Sequence, residues 1–287
     1  MLLGEFVEQI YWADRAGLRE CTIAGYRSAW TVGIQPRWGN MDLGSPVSVD
    51  EVSSWLMAVG SPGAARKYWA VMRGMLRRAV RLGHADPKMA ALAPELPRVP
   101  RYIAATLDAR QIRILLRGFY GHELEAWLVC SVCLGLRREE ACGLTWRDID
   151  LRSGIVHIRR GAQWVSGHLV VDRPKTELSR RDVVLPRFAL IRLRQLRAKG
   201  AIAGSLTPQQ VARRYHAWCT RERLPYVPAK NLRHSWATTA LQAKVDISVV
   251  AKQLGHSDIA TTARYYLRPD TAILRAAQRD WERLIMK

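Results

Sequence analysis

The chain has 287 residues, length for two domains of ordinary size, and its 48% apolar content with eleven Trp suits packed cores, not a disordered or fibrous chain. A net charge of +20 and a pI near 10.5 point to a polyanionic partner, nucleic acid before a membrane surface. No run approaches the ~18–20 consecutive apolar residues of a membrane span, and the acidic, amphipathic start MLLGEFVEQIYWADR does not read as a signal peptide, so a cytoplasmic protein is expected.

The basic excess is uneven: residues 1–100 carry 12 Lys and Arg against 9 Asp and Glu, residues 101–287 carry 33 against 16. The first part reads as all-helical. TIAGYRSAWTVGI puts Tyr26, Trp30 and Ile34 on one face at i, i+4, i+8. SVDEVSSWLMAV opens with Ser48, with Glu51 three residues on, the pattern of a capping box. In SPGAARKYWAVMRGMLRRAVRLG, helical spacing gathers Arg66, Arg73, Arg77 and Arg81 in a narrow arc with Lys67 and Arg78 beside it. Ala65, Trp69, Met72, Leu76 and Ala79 occupy another arc. Alone, such a basic face is a solvated surface; on a chain this basic, a helix lying along a DNA groove is the better reading. APELPRVPRYIAA then spaces Pro94, Pro97 and Pro100 three apart, which predicts a semi-rigid linker over 93–105 between domains 1–92 and 106–287.

The second part is mixed. TLDARQIRILLRGF and LEAWLVCSVCLGL look helical; GIVHIRR, HLVVDRP and RRDVVLP are short β-rich runs that predict a small antiparallel sheet; helices resume near Phe188. Cys130 and Cys133 form a CxxC with no second pair or His cluster at zinc spacing, and read as small buried hydrophobes, so no metal site is expected.

Four places carry candidate chemistry. In LGLRREEACGLTWRDID, Arg137 and Glu140 stand i, i+3, so the carboxylate can orient a guanidinium that grips phosphate, although alone such a pair is an ordinary surface ion pair. In PKTELSRRDVVLP, Lys175 sits in the turn between two predicted strands, either solvated or reaching into a groove. In AKNLRHSWATTAL, Lys230 and Arg233 share a helical face, while His234 points away and suits a packed or capping histidine. In LGHSDIATTARYYLRP, His256 and Tyr265 are nine residues apart. On one straight helix they would lie on opposite faces about 13 Å apart along the axis, so they converge only if the chain bends. Gly255 as terminator and Ser257 or Asp258 as a new cap supply the bend.

The order GLRxxE with LTWRDID, the hairpin PKTxxSRR, LRHSWAT and LGHxxIxTTxxY resembles the tyrosine recombinase (phage integrase) family. The motifs run from about residue 135 to 266, and the helical first part is similar to the family's core-DNA-binding domain. The resemblance implies a mainly α fold with a small antiparallel β-sheet: a SAM-like helical core-DNA-binding domain followed by an α+β catalytic domain. It implies that Arg137 and Arg233 clamp the scissile phosphate, Lys175 protonates the leaving 5′ oxygen and His256 hydrogen-bonds the phosphate. Tyr265 falls at the nucleophile's position; Tyr266 is one residue too far. Lys230 departs from the commonest pattern, which has His there. The chemistry is coherent: a phenol of pKa near ~10 needs help to attack phosphorus, cations stabilise the transition state, and a lysine can serve as general acid. Nothing in the set requires a metal or other cofactor.

Its implied function is a site-specific recombinase acting on double-stranded DNA attachment or recombination sites through a 3′-phosphotyrosine, in integration and excision of a phage or mobile element. A resolvase of chromosome or plasmid dimers would share that chemistry, and a non-catalytic DNA-binding regulator is the alternative from another class. In LRPDTAILRAAQRDWERLIMK, Ile273, Leu274, Ala277, Trp281 and Leu284 keep helical spacing. By the resemblance, this exchange helix docks on a neighbouring subunit and links a homotetramer on synapsed DNA, with an accessory directionality factor as a further partner. The helical pattern begins almost at Met1, leaving no room for the arm-binding domain of many phage-type integrases. An arm-less recombinase, or a truncated form, is therefore expected.

Overall fold

Apolar side chains gather in two large cores, one in each of two units, Met1–Ile103 and Ala104–Lys287. The computed structural model describes residues 1–100, 102–172, 180–256 and 258–266, with positions 275, 278, 279, 281–283, 285 and 286; side chains at 261 and 264–266 lie outside that description.

The first unit is helical: α1 (Leu3–Phe6), α2 (Glu20–Ala29), α3 (Gln35–Trp38), α4 (Val49–Ala58) and α5 (Pro62–Arg81). The expected Tyr26–Trp30–Ile34 face is not one regular helix. Helix α2 ends at Ala29 and a wider π turn, Trp30–Ile34, follows, burying Trp30 and Ile34 while Tyr26 stays partly exposed. Glu8 accepts the Trp30 indole N–H at 3.0 Å and holds this turn. The capping box expected at Ser48 is also not formed. Ser48 Oγ accepts from the Asp50 N–H (3.2 Å), and Glu51 accepts from Arg37 (2.6 Å) instead of reaching back. Helix α5 begins at a Ser61 cap with Pro62 in its first turn and buries Ala65, Trp69, Met72, Leu76 and Ala79, the arc the sequence assigns to the core. Beyond it, the Glu95 N–H donates to Ser53 Oγ and Arg66 Nε to the Pro97 carbonyl, both at 3.0 Å.

The second unit contains α6 (Ala109–Gly118), α7 (Glu125–Leu134), α8 (Arg138–Gly143), α9 (Arg187–Gln195), α10 (Pro208–Arg221), α11 (Leu232–Gln242), α12 (Ile247–Leu254) and α13 (Ile259–Tyr266). All ten residues of α7 are buried, as its unbroken apolar run requires. Burial pushes the Cys130 and Cys133 thiols within it upward, Cys133 to about 12, which leaves them unreactive.

Strands β1 (Ile149–Asp150), β2 (Ile155–Ile158) and β5 (Arg181–Val184) form one antiparallel sheet in the order β1-β2-β5; β3 (Gly161–Val165) and β4 (His168–Asp172) form a separate hairpin. The sequence predicts a single sheet. The β2–β5 ladder ends at the Ile158–Arg181 pair, and GAQWV instead pairs with HLVVD across Ser166–Gly167, whose positive φ values of 47° and 87° make a tight hairpin turn. Among the described residues no helix is long and apolar enough to cross a membrane. Lys175, Ile273, Leu274, Ala277 and Leu284 lie outside the described residues.

Candidate active site

Helix α7 ends at Gly135 in the left-handed conformation (φ 63°), where a Cβ would come within 2.8 Å of the Trp236 ring. The turn delivers Arg137 as the N-cap of α8, with Glu140 on its first turn. Glu140 accepts the Arg137 backbone N–H at 2.9 Å and its Nη1 at 2.6 Å, so the pair read from the sequence is present.

It belongs to a larger network. Arg181, the first residue of β5, donates from Nη1 and Nη2 to the two oxygens of Glu140 at 3.1 and 2.9 Å. Only 8% of Arg181 and 6% of Glu140 is exposed. Burial opposes a charged Glu140, but the Arg181 hydrogen bond and the charges of Arg181, Arg137 and Arg233 outweigh it and bring its pKa to about 2. Arg181 is the site residue to which the sequence motifs assign no role. A signal was there: strand alternation from the core residue Val183 turns position 181 inward, opposite Ile158.

Arg233, in the first turn of α11 and also buried, donates to the Gly135 carbonyl (3.1 Å) and the Leu254 carbonyl (2.7 Å). Helix α12 closes at Gly255, again left-handed (φ 66°), where the N–H groups of Gly255 and His256 return to the Lys252 and Ala251 carbonyls. The next carbonyls have no partner within the helix, and arginines meet all three. Arg181 Nε donates to Gln253 O at 2.7 Å, Arg233 Nη2 to Leu254 O, and Arg137 Nη2 lies 3.5 Å from Gly255 O. The negative end of the helix dipole favours this gathering of cations. Three guanidiniums against one carboxylate leave two positive charges, and Arg137, its side chain 38% exposed, faces solvent. Such a cluster can hold an anion of up to two negative charges.

His256 follows directly, half-buried, with Nδ1 2.8 Å from Thr262 Oγ1. Burial first, then the charges of Arg233, Arg137, Arg181 and His234, push its pKa down to about 4, so the ring is neutral at pH 7. Asp258 Oδ1 accepts the Ala260 N–H at 2.8 Å and starts α13, which contains Tyr265. The bend needed between His256 and Tyr265 is therefore made by Gly255 and Asp258; the Tyr265 side chain is outside the described residues. Lys230 is exposed in a short 3-10 turn, Ala229–Asn231, ahead of α11. His234 is half-buried, and burial followed by the charges of Arg233 and Lys230 lowers its pKa.

On α5, Arg66, Lys67, Arg73, Arg77 and Arg81 are exposed, in line with the basic arc. Arg78 is partly buried and ion-paired with Asp14.

A sequence model described as the phage integrase family matches residues 122–272. The tyrosine recombinase XerC of Pseudomonas aeruginosa (strain LESB58) is 31% identical over 206 residues, covering 67% of this chain and 64% of that protein's length. In fold the chain is similar to the Tn1549 transposon integrase, at TM-score 0.77 and 18% identity over 98% of this chain and 99% of that one. Lambda integrase is also similar, at TM-score 0.69 and 16% identity over 92% and 95%. Since the matched segment takes in more than half of its residues, the chain belongs to the phage integrase family.

Proposed function

We propose that this protein is a site-specific DNA recombinase that cleaves and rejoins double-stranded DNA through a 3′-phosphotyrosine, in the integration and excision of a phage or other mobile element. The observation that carries this reading is the convergence of Arg137, Arg233 and neutral His256 at the break between α12 and α13, the helix that contains Tyr265. The Tyr265 hydroxyl loses its proton to solvent as its oxygen attacks the scissile phosphorus, and the bond to the 5′ oxygen breaks. Lys175 gives that oxygen its proton. Arg137 and Arg233 hold the non-bridging oxygens, His256 donates to them, and Lys230 adds positive charge. The transition state gains a negative charge, which suits the two excess positive charges of the cluster. A 5′ hydroxyl of a second DNA then attacks the phosphotyrosine and releases Tyr265, conserving the number of phosphodiester bonds.

Duplex DNA as substrate is supported by the Tn1549 integrase, whose structure is a complex with a circular intermediate DNA, and by the lambda integrase dimer bound to a COC′ core site. The basic arc of α5 binds the DNA backbone, four protomers join on two sites through their C-terminal segments, and an accessory factor sets direction. The test is a plasmid carrying two copies of the element's attachment site, incubated with the protein in EDTA. An excised circle is expected; DNA that is bound but never recombined contradicts the proposal.

A further inference from the structure

A neutral imidazole carries one N–H, and the nitrogen that holds it decides whether the ring can donate to an anion. In His256, Nδ1 lies 2.8 Å from Thr262 Oγ1. Thr262 is fully buried, and its hydroxyl has no other hydrogen-bond partner among the described residues. Two arrangements fit that distance. With the proton on Nδ1, the hydroxyl accepts, its own buried proton has no acceptor among the described residues, and Nε2 presents a lone pair. With the proton on Nε2, the hydroxyl donates to Nδ1 and the buried Thr262 donor is satisfied. A buried donor without a partner is the costlier fault, so the second arrangement is preferred.

We infer that Thr262 is a positioning residue whose hydroxyl donates to His256 Nδ1, fixing the Nε2–H tautomer so that the neutral ring donates through Nε2 to a non-bridging phosphate oxygen. The phosphate half of this statement rests on the recombinase reading; the tautomer half does not. The bond also ties the turn after α12 to α13, three residues before Tyr265. A neutral donor here adds a hydrogen bond without a further full charge beside the three arginines. Burial, and then their repulsion, keep the ring unprotonated.

The experiment is a two-bond proton–nitrogen correlation spectrum of the full chain with nitrogen-15 histidine at pH 7, with His256 identified by the signals that disappear in His256→Gln. The wild type is expected to have Nδ1 in the range of a bare ring nitrogen and Nε2 in the range of a protonated one. Thr262→Ser should keep that pattern, and Thr262→Val should move both signals toward the averaged values of free imidazole. A proton on Nδ1 in the wild type overturns the inference whether or not Thr262→Val folds, and so does an unchanged Thr262→Val spectrum. On nicked duplex DNA, Thr262→Val should cleave about fivefold more slowly with unchanged DNA affinity, the ratio corresponding to one neutral hydrogen bond of ~1 kcal/mol. A shifted tautomer with an unchanged cleavage rate overturns the link to phosphate. If the wild type has the expected tautomer and cleaves no DNA, the recombinase reading fails while the Thr262–His256 assignment stands.

Discussion

Both oxygens of Glu140 accept from Arg137 and from Arg181, and this sharing decides what single substitutions do. Arg181→Ala leaves the buried carboxylate with Arg137 alone and strips the Gln253 carbonyl of its donor. Breaking a buried pair of this kind costs about 3 kcal/mol, measurable as a lower denaturant midpoint. The same carboxylate gives an acid signature. Its folded pKa of about 2 lies below that of a free glutamate, so its stabilisation is whole above pH ~4.3 and is lost as pH falls from there through 2. His256 adds to the slope at higher pH: with a folded pKa of about 4 against ~6.5 when free, the unfolded chain takes up its proton first, and stability falls as pH drops from 6.5 to 4. Urea titrations between pH 7 and 3 should show that upper limb in the wild type and a weaker one in His256→Gln. At this scale the sequence was legible where partners are local. Arg137 and Glu140 are three residues apart, whereas Arg181 and Glu140 are 41 apart, and only strand alternation hinted that Arg181 faces inward.

The α12–α13 break is the element on which the site depends. Gly255 adopts a left-handed conformation, and a Cβ there would lie 3.1 Å from both Cδ and Nη1 of Arg181. Gly255→Ala should therefore cost more than about 1 kcal/mol in stability and slow DNA cleavage while the protein stays folded. The basic face of α5 makes a separate prediction. Arg73→Glu with Arg77→Glu alters exposed positions, so thermal stability should hold while DNA affinity falls. The slope of log affinity against log salt should flatten by about 1 for each phosphate that is no longer neutralised. The Gly255 bend and the two arcs of α5 were readable because each rests on local geometry. The π turn at Trp30–Ile34 was not, since the i, i+4 spacing that suggests a regular helix is interrupted by packing and by the Glu8–Trp30 hydrogen bond. The separate β3–β4 hairpin was missed for a similar reason: GAQWV has little apolar alternation and is fixed by its turn and its partner strand.

Across the whole molecule, the charge imbalance and the order of four motifs carried more information than any one residue. A net charge of +20 favours a polyanion, and the arginines that meet at the end of α12 come from segments far apart in sequence, around residues 137, 181 and 233. Their convergence is a product of the fold of the second unit. If this site breaks DNA through Tyr265, a nicked suicide duplex bearing the attachment site traps the protein on the DNA. Wild type, Tyr265→Phe and Tyr266→Phe are incubated with it, and denaturation-resistant protein–DNA adducts are counted. The expected result is an adduct with wild type and Tyr266→Phe and none with Tyr265→Phe. Adducts from both single variants, or a wild type that binds the duplex and forms none, would contradict it.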